Sequence, residues 1–81
     1  MNDELLKISG RLAQKEIEIR QLELRISGLV HSIRDCLDPF AEIVDLRTDD
    51  AAQQAFQLAD LRIQWNELGH KIHAMKKALG R

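Results

Sequence analysis

Glu67, His70 and His73, in the stretch ELGHKIH, fall on successive turns of any helix that contains them. A Glu-x-x-His spacing is the one used by carboxylate-bridged metal sites in helical bundles, where the ligands project inward and facing helices supply further carboxylates. The heptad phase described below places these three residues at c, f and b, away from the apolar seam. The residues level with them on the other helix are Arg20, Ile17 and Gln14, none of which completes a metal site. They are therefore read as a solvated polar face, and no metal is expected. A second candidate is the basic set Lys7, Arg11, Lys15, Lys71, Lys76, Lys77 and Arg81, which a hairpin would gather at one end. Clustered Lys and Arg are what phosphate contact requires. Against nucleic acid stand a net charge of −1, no helix-turn-helix pattern and no aromatic residue near that end for base stacking.

Other reactive types are sparse. Cys36 is the only cysteine, so no intramolecular disulfide can form, and the usage fits a reducing compartment, with the cytoplasm expected. It falls in the apolar seam and reads as a small packing residue, not a nucleophile. There is no Gly-rich phosphate loop, no Ser/His/Asp arrangement and no cysteine pair for zinc. No catalysis and no cofactor are expected. The longest run free of charged residues is the nine from Ala51 to Ala59, far short of the ~20 needed to cross a bilayer. The opening residues Met1-Asn2-Asp3-Glu4 lack the basic start and apolar run of a signal peptide.

These side chains must be positioned by helices. Ala, Leu, Glu, Gln, Lys and Arg dominate, with one proline and no tyrosine. In the first stretch the a positions are Leu5, Leu12, Ile19, Ile26 and Ile33, and the d positions are Ile8, Lys15, Leu22, Leu29 and Cys36. In the second, a is Leu58, Trp65, Ile72 and Leu79, and d is Leu61, Leu68 and Met75, with the seam running back through Gln54 and Ala51. An alternating 3-4 spacing over more than four heptads is a coiled-coil signature. Pro39 cannot lie inside a helix, and Asp38 before it is a natural cap. The fold expected is all-α. It is an antiparallel two-helix coiled-coil hairpin over residues 1–81, with helix one about 4–37, a connection 38–48 and helix two about 49–79.

In such a hairpin an a residue shares a layer with a d residue of the other helix, so paired numbers sum to a constant. A sum of 87 pairs Leu22 with Trp65, Ile26 with Leu61 and Leu29 with Leu58, and it brings Glu18 near Lys71 and Glu23 near Arg62. A sum of 80 sets Lys15 against Trp65 and Gln54 against Ile26, burying polar groups in place of apolar layers worth about 1.5–3 kcal/mol per well-buried side chain. The register of 87 is preferred. It leaves Pro39–Leu46 as a short capping helix with Phe40, Ile43 and Val44 on one face, and Thr48 as the cap of helix two. The rival is a single helix from Pro39 to Leu79. Lys15 is expected to snorkel out of the seam, and Gln54 to help fix the register. Gly10, Gly28 and Gly69 suggest close approach of the helices or local bending.

Each helix carries more apolar residues than one seam uses. Leu6, Ala13, Ile17 and Leu24 on the first, and Ala52, Phe56, Ala59 and Ile63 on the second, repeat at b and f positions. A helix with two apolar faces implies two neighbours. These eight residues are the expected oligomer interface of a homodimer, the simplest closed form being a two-fold four-helix bundle. Charge is polarised as well. Residues 1–34 carry net +1, 35–60 net −6 and 61–81 net +4, so the turn of the hairpin is acidic and its free end basic. The function expected is self-association and protein–protein interaction without catalysis. The alternative is a small nucleic-acid-binding regulator acting through Lys7, Arg11, Lys71, Lys76, Lys77 and Arg81.

Overall fold

In a computed structural model that describes residues 2–80, the chain forms two long helices that pack along each other. Helix α1 is Asn2–Cys36 and helix α2 is Thr48–Ala78. The hairpin is a rod of 64 × 15 × 15 Å with a radius of gyration of 18.3 Å, against about 12 Å for a compact domain of this length. Among the described residues the buried side chains are Leu12, Leu22, Cys36, Ala51, Leu61 and Ile72. Every one is an a or d position of the 3-4 pattern, so the seam is the core. Leu12, at 1% exposure, is its most enclosed member.

The register follows from which residues share the grooves along the seam. Glu23, Ile26 and Ser27 line one groove with Arg62 and Trp65. Arg25, Gly28 and Leu29 line another with Gln57, Asp60, Leu61 and Gln64. These groups face each other with numbers summing close to 87. The register of 80 would put Trp65 beside Lys15, a heptad away. Cys36 and Ala51, level in the register of 87, are both buried.

The connection differs from expectation. Residues 39–46 do not form a capping helix, nor do they extend α2. The Asp38 carboxylate accepts a hydrogen bond from the Phe40 N–H at 2.9 Å, and the Asp38 carbonyl accepts one from the Ala41 N–H at 3.1 Å. Such a local turn is what Asp followed by Pro favours, since proline disfavours helical geometry in the residue before it. A single 3-10 turn, Ile43–Asp45, follows. The Arg47 N–H then donates to the Cys36 carbonyl at 3.1 Å, tying the start of α2 to the end of α1 and satisfying one of the carbonyls a helix end leaves open. Thr48 is the first residue of α2, not its cap. Arg47 holds the cap position with no side-chain hydrogen bond. Asp49 and Asp50 lie in the first turn and Lys76 and Lys77 in the last, each of the sign that the helix dipole favours. Gly80 follows α2 with φ +73°, the left-handed conformation that commonly ends helices.

Two expected cross-helix ion pairs are not formed. Glu18 pairs within its own helix with Lys15 at 3.2 Å, although Lys71 shares its groove. Arg62 bonds Asn66 and lies over the Trp65 ring, 4.8 Å from its centroid, although Glu23 shares its groove. In both cases a neighbour three or four residues away on the same helix is the nearer partner. Lys15 thereby keeps its charged end at the margin of the seam on Glu18, as a snorkelling lysine does.

Candidate interaction surfaces

The side chains with reactive chemistry do not converge. Glu67, His70 and His73 are all exposed on α2, and among the described residues no three of His, Cys, Asp and Glu gather as a metal centre would require. Cys36 is a free, buried thiol, level with Ala51. The concave features include open grooves flanking the seam, lined mainly by polar and charged side chains with two leucines in each. No helix of the described residues is long and apolar enough to cross a membrane.

What the fold does present is apolar surface. All eight stripe residues are exposed: Leu6, Ala13, Ile17 and Leu24 on α1, and Ala52, Phe56, Ala59 and Ile63 on α2. Phe56 is 79% exposed, Leu24 75%, Ile63 56% and Ile17 48%. At about 100° per residue, b and f positions lie roughly 130° and 170° around the helix from the seam. With the a and d positions turned toward the partner helix, the two stripes therefore look outward on opposite flanks of the rod. The hairpin offers two separate apolar faces, not a single one. They differ in continuity. On α2 the row Ala52, Phe56, Ala59, Ile63 is unbroken at 4-3-4 spacing, whereas on α1 the corresponding row is interrupted by Gly10, Arg20 and Ser27.

A further apolar cluster was read in sequence only as one face of a short helix. Phe40, Ile43 and Val44 project from the turn with exposures of 94, 87 and 89%. Ala41 and Leu46 are half-buried where the seam ends. Around the cluster stand Asp35, Asp38, Glu42, Asp45, Asp49 and Asp50, all exposed. The opposite end carries Lys7, Arg11, Lys71, Lys76 and Lys77, also exposed. Arg81, the last of the basic set, lies outside the described residues. The chain matches no family model, no curated protein and no solved structure.

Proposed function

We propose that this chain is a non-catalytic helical hairpin that works by self-association and protein–protein contact through the apolar rows on its outer flanks. The observation that carries this reading is the exposure of Phe56, Ile63, Leu24 and Ile17 along a rod whose seam is already filled by other residues. Covering each such side chain contributes about 1.5–3 kcal/mol, and a two-fold dimer buries the large pair of one flank, such as Phe56 and Ile63, twice. That total reaches the range of the association cost, about 4–15 kcal/mol. The simplest product is a homodimer of four helices. Sedimentation across a concentration series tests it. The wild-type chain is expected to dimerise at tens of micromolar, roughly the range of weak association. Phe56→Glu with Ile63→Glu is expected to give a monomer of unchanged helicity, because neither position touches the seam. A wild-type monomer across that range removes the reading.

A second reading rests on the exposed basic end. Lys7, Arg11, Lys71, Lys76 and Lys77 could bind nucleic-acid phosphates, and such binding weakens steeply as salt rises. Affinity for generic RNA or DNA that falls by orders of magnitude between about 50 and 200 mM salt, and is lost in Lys76→Ala with Lys77→Ala, would favour this reading.

A further inference from the structure

The inference that follows rests on the self-association reading and specifies which face associates, with what, and in which direction. We infer that the outer face of α2 is a self-complementary docking surface for α2 of a second copy running antiparallel to it. The row Ala52, Phe56, Ala59, Ile63 alternates small and large side chains. In an antiparallel pair, residues of one layer have numbers summing to a constant, and a sum of 115 is the register that makes four consecutive layers apolar. Ala52 then faces Ile63 of the second copy and Phe56 faces its Ala59, and the two-fold repeats both. Every layer combines one large residue with one alanine, which is how facing rows interdigitate without voids or clashes. Shifting the pairing one heptad, to 122, sets Phe56 against Asn66 and Ala52 against His70. A parallel pairing sets Phe56 on Phe56 and alanine on alanine, alternating crowding with gaps.

Charge selects the same direction. The acidic turn and the basic free end are opposite poles of a 64 Å rod. Parallel copies would bring two acidic turns together, with Asp49 on Asp49. In the antiparallel register of 115, Asp49 meets Asn66, and the α2 segment that follows Asn66, with His70 and Lys71, runs beside the second copy's acidic turn. At the margins of the apolar layers Asp60 comes level with Gln53, an acceptor beside an amide donor, and no like-charged pair forms. The α1 row, broken by Gly10, Arg20 and Ser27, offers no comparable register. The product is a flat row of four helices, α1–α2–α2–α1, closed by its own two-fold.

The layer rule supplies its own test. Because position 56 always meets position 59, Phe56→Ala and Ala59→Phe should each weaken the dimer at least tenfold by sedimentation, and the double variant should return it to within a few-fold of wild type. Circular dichroism checks that all four chains keep equal helicity. A nitroxide at position 66, introduced as Asn66→Cys in a Cys36→Ala background, reports direction. The antiparallel dimer places the two labels about 25 Å apart, whereas a parallel one places them about 10 Å apart. A double variant no better than the singles, or the short distance, overturns the inference. So does a dimer that survives Phe56→Glu and is lost in Leu24→Glu, although the self-association reading then stands. A wild-type chain that remains monomeric at ~100 µM overturns both.

Discussion

Gln54 is the one seam position where the packing carries an open polar cost: its Oε1 is buried with no hydrogen-bond donor in reach. An unsatisfied buried oxygen costs about 1–3 kcal/mol. Its return is selectivity, since a polar side chain at one seam position disfavours shifted pairings. Gln54→Leu should therefore raise stability by about 1–2 kcal/mol in denaturant unfolding. An unchanged midpoint would mean that Oε1 is already satisfied. The glycines give the opposite lesson. A Cβ at Gly10, Gly28 or Gly69 would meet nothing within 4 Å, so these residues serve no close approach. Alanine at each should stabilise by up to about 1 kcal/mol, the helix-propensity difference. Gly80 stands apart, because its φ of +73° would strain any other residue.

The two helices and their register were legible in the residues because the seam is long. One slip moves every layer at once, so Leu12, Leu22, Leu61 and Ile72 act together to exclude it. The connection was not legible. Asp38-Pro39 can open a helix or a turn with the same two residues, and what decides between them is the Arg47 N–H reaching the Cys36 carbonyl, a contact that spacing does not encode. The ion pairs failed for a related reason: Lys15 and Asn66, partners on the same helix, are nearer than the cross-helix partners that register alone brings level. The eight stripe positions were legible as exposed, since they lie off the seam. That they divide onto opposite flanks comes from their angle about each axis. Register has a direct energetic test. Leu22→Ala and Trp65→Ala should show a coupling energy of about 0.5 kcal/mol or more in a double-mutant cycle. Lys15→Ala with Trp65→Ala should be additive, and the reverse pattern would place the helices one heptad apart.

A rod this thin buries little of itself. Six of the described residues are buried, and two of them are Cys36 and Ala51, which contribute little apolar area. Domains of this size are often marginal as monomers and gain from oligomerisation. If association supplies part of the stability, that part must depend on concentration, because whatever binds only the folded chain stabilises it by mass action. A hundredfold increase in concentration shifts a dimer by RT ln 100, about 2.7 kcal/mol, or about 1.4 kcal/mol per chain. For a domain of 60–100 residues that is a rise in Tm of roughly 5–10 °C. The wild-type chain should show this rise between about 1 and 100 µM. The Phe56→Glu, Ile63→Glu variant should show none, with a Tm close to that of the dilute wild type, since its seam is intact. A wild-type Tm independent of concentration would mean that the hairpin seam alone holds the fold. The exposed rows on α1 and α2 would then be faces for a different protein, and Phe56→Glu would leave stability unchanged while abolishing that contact.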